Sequence, residues 1–171
     1  MLYSAFLHEG PAAVRYPRGS GPGVPEAKAM SRIPVGKAEI RREGQGVALL
    51  AFGTMLVPAL EAAEVLDATV VNMRSVKPLD KDLIEDLAGS HDLLVSVEEN
   101  TVRGGAGAGV SEVLSEAGCT TPLLILGLPD QHVDQGDPVA VLSQVGLDAQ
   151  GIQAAIQRQR PLQSVVSRSR A

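Results

Sequence analysis

Arg15-Tyr16-Pro17-Arg18-Gly19 is the stretch of this chain whose residue types could grip an anion. Two arginines stand three apart, Tyr and Pro restrict the backbone between them, and a Gly-rich loop follows. A guanidinium holds a phosphate through two parallel N–H bonds, so an Arg fixed at a strand end suits a phosphorylated substrate. By composition alone, a structural Arg and a phosphate-binding Arg fit equally well. Gly104-Gly105-Ala106-Gly107-Ala108-Gly109 follows an apolar run and opens a helical one, which is the setting of a dinucleotide fingerprint. The spacing fails, because counting from Gly105 places Val110 where the third Gly belongs, and no Lys-Ser/Thr pair follows. Small residues there are expected instead to let a helix N-terminus approach the sheet or another subunit. Glu98 and Glu99 are adjacent on a strand, so they point to opposite faces and cannot share a proton. One of them is expected to cap the following helix.

Other candidates fall away on spacing. His8, His91 and His132 stand at no metal-ligand interval from one another or from Cys119. His91 is expected in a surface loop. Ser75, Ser90 and Ser111 lack the Gly-x-Ser-x-Gly setting of a hydrolase nucleophile. Cys119, the lone cysteine, has no neighbouring base and reads as a buried or half-buried spectator. Hydrophobic residues make up 44% of the 171 residues and charged ones 20%, a balance able to bury a core, which must be aliphatic because aromatics are 2%. A net charge of −5 argues against a nucleic-acid partner. Arg158, Arg160, Arg168 and Arg170 are separated by Ser and Gln and read as a solvated, frayed end. No apolar run is long enough for a membrane span, and a single Cys suits a reducing cytosol.

These residues need elements to position them. Met1 to Leu7 reads as the last turns of a helix, stopped by His8-Glu9-Gly10-Pro11. Ala12 to Tyr16 reads as a short strand ended by Pro17. Dense Gly and Pro from Gly19 to Pro34 then marks a boundary near residue 33. Beyond it, strands are expected at 36–41 (an edge), 47–52 (buried on both faces), 68–73, 93–98 and 122–127. Helices are expected at 55–66, around 79–87 with Asp80 in the first turn, around 110–114, and near 138–145 and 148–159. Alternating strands and helices at this spacing predict an α/β fold with a mostly parallel sheet flanked by helices. Ligands of such sheets bind beyond the carboxyl ends of the strands.

Five blocks then carry a resemblance. Gly10-Pro11-Ala12-Ala13-Val14-Arg15-Tyr16-Pro17-Arg18-Gly19 resembles the end of the pyrimidine-binding domain of 1-deoxy-D-xylulose-5-phosphate synthases. Ile33 to Ala38, Met73 to Asp80, Val97 to Val110, and Leu126 to Asp130 with Gln135-Gly136 follow in that family's order, over residues 1 to about 158. Ser75 departs from the family's common aromatic, and Val133-Asp134-Gln135-Gly136 from its usual Ile-Pro-Gln-Gly. The resemblance implies three parts: 1–33 as the end of the pyrimidine-binding domain and a linker, 34–158 as a transketolase C-terminal-type domain, and 159–171 as a disordered tail. It implies a homodimeric enzyme using thiamine diphosphate and Mg²⁺ to condense pyruvate with glyceraldehyde 3-phosphate into 1-deoxy-D-xylulose 5-phosphate and CO₂, feeding isoprenoid, thiamine and pyridoxal synthesis. Of the family's substrate-site residues it places here only Arg18, on the phosphate of glyceraldehyde 3-phosphate. No catalytic, cofactor or metal residue carries over, so the chain alone is expected to be inactive and to bind neither cofactor. A transketolase or 2-oxo-acid dehydrogenase β-subunit domain, or a non-catalytic oligomerisation module, are the alternative readings.

Overall fold

The computed structural model describes residues 1–17, 21, 23 and 28–168, with side chains as far as Gln159. A short helix α1 (Leu2–Phe6) opens the chain and ends before Gly10, whose φ of +138° no side chain would favour. Residues 11–17 form no strand and pair with none among the described residues, so the strand expected at Ala12–Tyr16 is corrected. Its β-prone residues lack a neighbour to complete a ladder, and strand propensity reflects such packing more than the backbone's own preference. Helix α1 is tied instead to the chain at residue 33, where the buried hydroxyl Oγ of Ser4 accepts the N–H of Ile33 at 2.7 Å.

Five strands then form one sheet in the order β1-β3-β2-β4-β5. They are β1 (Glu39–Arg42), β2 (Val47–Ala51), β3 (Thr69–Asn72), β4 (Leu93–Thr101) and β5 (Leu123–Leu128). Only β1 runs antiparallel, at one edge; β3, β2, β4 and β5 are parallel. Every residue of β2 is buried, as a continuous apolar run flanked on both faces requires. Val47, Leu49 and Ala51 face one core with α2 (Leu56–Leu66) and α6 (Ala149–Arg168), where Ala59, Ala63, Ile152 and Ile156 are wholly buried. Ala48 and Leu50 face the other, against α3 (Lys81–Ser90) and α4 (Ala106–Glu116), where Ile84 and Val110 are wholly buried. Helix α5 (Pro138–Gln144) is capped by Asp137, whose carboxylate accepts the N–H of Ala140 at 3.0 Å.

Helix α6 runs to Arg168, past residue 159 where a disordered tail is expected. Asp80 is corrected from the first turn of α3 to its N-cap, one residue ahead of the helix, where its carboxylate meets Lys37 and the Ala38 N–H.

Candidate functional site

The carboxyl ends of the parallel strands converge on one edge of the sheet, and the chain places polar groups at each. Strand β4 delivers Glu98 and Glu99 there on opposite faces, as their adjacency requires. Glu98 is 3% exposed. Its Oε2 accepts the N–H of Ala106 and its Oε1 that of Gly107, both at 2.8 Å. The carboxylate thus occupies the N-terminus of α4, where unpaired N–H groups and the helix dipole attract an anion. Gly105 stands at the N-cap with no side chain to offer, so the cap comes from the sheet. The glycines make that approach possible. A Cβ on Gly105 would lie 2.4 Å from Glu98 Oε2, and one on Gly107 2.4 Å from Ser96 Oγ and 2.6 Å from Ile125 Cγ2.

On the other face, Glu99 Oε2 accepts the hydroxyl of Thr54 at 2.6 Å, joining the end of β4 to the turn after β2. Glu99 also borders an open cleft of about 320 Å³, lined further by Leu128, Asp134, Gln135, Val141 and Leu142. At the end of β3, Arg74 adopts a φ of +57° and pairs with Glu39 of β1, so the strand end anchors the sheet edge. Arg103 and Asp130 meet at 3.4 Å on the exposed rim.

Around α3, Asp80 does the work that spacing did not reveal. Its Oδ1 meets Lys37 Nζ at 3.0 Å and its Oδ2 accepts the N–H of Ala38 at 2.9 Å, while Asp82 meets the same ammonium at 3.0 Å. Burial pushes the Asp80 carboxyl up, but the Ala38 N–H and the Lys37 ammonium outweigh it and hold the group below the usual carboxylate range. The bonds to Asp80 and Asp82 hold the Lys37 ammonium above the ordinary lysine value. His91 lies in the short connection between α3 and β4, a loop as expected but half-buried, with Nε2 2.9 Å from Thr69 Oγ1 and Nδ1 3.2 Å from the Leu87 carbonyl. Cys119 is half-buried against the α3/α4 core, as expected of a spectator.

Arg18, the expected phosphate ligand, lies outside the described residues. Its companion Arg15 is exposed and lines a groove with Tyr3, Tyr16 and Met30. Among the described residues no three His, Cys, Asp or Glu side chains gather where they could hold a metal ion. The helix N-terminus at Ala106 already holds the carboxylate of Glu98. These residues therefore fit neither a magnesium ion nor a diphosphate. No helix among the described residues is long and apolar enough to cross a membrane.

An α/β sheet with one antiparallel edge, a strand-end carboxylate in the α4 N-terminus and this helix order define the class. Residues 36–152 match the family model described as transketolase, C-terminal domain, and the chain belongs to that family. Its curated relatives are more specific. It is 62% identical over 161 residues, 94% of the chain, to the 1-deoxy-D-xylulose-5-phosphate synthase of Nitrosospira multiformis. Over its full 171 residues it is 53% identical to the synthase of Nitrosococcus oceani. The chain spans about a quarter of the length of these relatives, 26% in both cases. Among solved structures it is similar to one described as a split gene transketolase, inactive β4 tetramer, with a TM-score of 0.71 and 37% identity, over 80% of this chain and 46% of that one.

Proposed function

We propose that this chain is the C-terminal portion of a bacterial, cytoplasmic 1-deoxy-D-xylulose-5-phosphate synthase, a thiamine-diphosphate- and Mg²⁺-dependent transferase acting on pyruvate and glyceraldehyde 3-phosphate. The observation that carries this reading is the 62% identity to a synthase across 94% of the chain. The solved transketolase structure to which the chain is similar shares less of its sequence, 37%. The cofactor supplies the carbon–carbon bond chemistry when bound. This chain supplies a rigid α/β domain and, through Arg18, a cation for the aldehyde substrate's phosphate. Alone it is inactive. The tetrameric state given for the split-gene protein supports self-association of this chain as well.

The test uses the chain joined to the preceding domains of such an enzyme. Arg18→Ala should lower kcat/KM for glyceraldehyde 3-phosphate at least about tenfold, since each charge-assisted bond to a phosphate is worth about 1.5–3 kcal/mol. Unphosphorylated glyceraldehyde and the KM for pyruvate should change little. Arg18→Lys should rescue only part, because a point charge cannot reproduce the planar fork. Equal losses for the phosphorylated and unphosphorylated aldehydes would show that Arg18 does not read phosphate.

A further inference from the structure

The strand order β1-β3-β2-β4-β5 reverses between β2 and β4. From β2 the chain crosses by α2 to β3 on one side, then returns by α3, on the opposite face, to β4 on the other side. In an open α/β sheet, ligands settle beyond the carboxyl ends of the strands at this point of reversal. Here the ends of β2 and β4 are bridged by Thr54 and Glu99, whose side chains meet at 2.6 Å. The cleft of about 320 Å³ that Glu99 borders opens beside this bridge. Its volume lies at the lower end of the range for small-molecule sites.

The walls are apolar and anchored. Leu128 at the end of β5 and Leu142 of α5 line the cleft and pack against the α2/α6 core. Val133 and Val141 add aliphatic surface. The loop before α5 lies close on that helix, since a Cβ on Gly136 would come 3.1 Å from Val141 Cγ2. The charges are of one sign. Glu99 is half-buried, Asp134 is exposed, and among the described residues no lysine, arginine or histidine lines the cleft. Asp134 has His132 at 3.7 Å, whereas Glu99 forms an ion pair with none of the described cations.

We propose that this cleft binds a small organic cation, a primary ammonium on an aliphatic body, with Glu99 as its counter-ion. Charge selects the ligand class. An anion would face two carboxylates, and a neutral apolar molecule would strip water from Glu99 and give nothing in exchange. The Thr54 hydroxyl then selects ammonium over guanidinium. It occupies Glu99 Oε2 and leaves Oε1 without a donor among the described residues. A guanidinium fork takes both oxygens of a carboxylate, whereas an ammonium is a point charge that one oxygen can meet. The aliphatic body lies against Leu128 and Leu142. This site is on the face of β4 opposite the α4 N-terminus that Glu98 fills, and it stands whether or not the chain belongs to a synthase.

The test titrates hexylammonium, hexanol and hexanoate separately into the isotope-labelled full chain at neutral pH and follows the amide resonances. Hexylammonium should give saturable shifts at Glu99, Leu128 and Leu142, with a Kd of about millimolar for so small a ligand. Hexanol and hexanoate should bind at least about tenfold more weakly, because each lacks the charge-assisted bond to Glu99. Glu99→Gln keeps an acceptor for Thr54 and should show unchanged far-ultraviolet circular dichroism. It should weaken hexylammonium at least about tenfold and leave hexanol as it was. If that variant does not fold, the comparison of the three ligands on the wild-type chain decides. Hexylammonium binding no more tightly than hexanol, shifts that map away from the cleft, or a folded Glu99→Gln that binds as tightly as wild type overturns the proposal. So does a lysine-bearing peptide that binds where hexylammonium does not, since the occupant would then be a protein chain. No cofactor or substrate enters the measurement, so its outcome is independent of the synthase assignment.

Discussion

Replacing Glu98 by Gln keeps the shape of the side chain and removes its charge, which isolates the cap on α4. In the wild-type chain both carboxylate oxygens accept backbone N–H groups at 2.8 Å, with 3% of the residue exposed. Gln retains one acceptor and turns an NH₂ toward the other N–H. One charge-assisted bond, about 1.5–3 kcal/mol, is lost and a buried N–H is left unpaired at about 1–3 kcal/mol. The two overlap, and the relief of burying a neutral amide in place of a carboxylate offsets part of them. A net loss of about 2–4 kcal/mol follows, or a fall in Tm of roughly 4–16 °C for a domain of this size. Glu99→Gln is the internal control. It sits one residue along on the opposite face, its partner is the Thr54 hydroxyl, and a Gln carbonyl can still accept that bond. Its cost should stay under about 1 kcal/mol. Urea unfolding followed by circular dichroism, with the m-value checked for constancy, measures both. If the two variants lose the same stability, or Glu98→Gln loses under about 1 kcal/mol, the carboxylate is not what secures the helix N-terminus.

Paired glycines test the close approach of α4. Gly107→Ala should destabilise by about 1–3 kcal/mol, since its Cβ would meet Ser96 Oγ and Ile125 Cγ2, while Gly89→Ala in α3, with nothing within 4 Å, should gain up to about 1 kcal/mol; thermal melts should show opposite shifts. Asp80→Asn should destabilise at neutral pH, because one oxygen holds Lys37 and the other the Ala38 N–H. The folded-state carboxyl is depressed, so its stabilisation is complete above the ordinary value of 3.8 and disappears as pH falls through the folded value. Denaturant titrations of wild type and variant should therefore differ at pH 7 and converge in strong acid.

The sheet was legible because buried parallel strands write themselves as apolar runs: Val47–Ala51 and Leu93–Val97 admit no other packing once helical spacing intervenes. The Gly104–Gly109 segment was legible by the failure of its spacing, and Gly107 against Ser96 shows the close approach that the small residues serve. Contacts between residues distant in sequence were not legible. Asp80 looked like a helix-start acid, and nothing local announces Lys37 and Ala38 as its partners. His91 is a loop residue, but hydrophobic spacing carries no information about a hydroxyl on β3, where Thr69 meets its ring. Ala12–Tyr16 has the composition of a strand, but a strand exists only with a neighbour, and among the described residues it finds none in this chain.

The placement of Glu98 bears on what this domain contributes to any larger enzyme. In an open α/β sheet the helix N-terminus beyond a strand's carboxyl end is where an anionic ligand would be met. Here the strand itself carries the anion. A phosphate could enter only by displacing a buried carboxylate that already satisfies both N–H groups, and the two negative charges would repel each other at close range in a site with little water. The same small residues that would let a diphosphate approach the backbone let Glu98 do so instead. The α4 end of the sheet is therefore closed to anions by the chain's own sequence, and its binding energy is spent on fixing α4 against β4. Any phosphate this chain recognises must be met away from the α4 N-terminus.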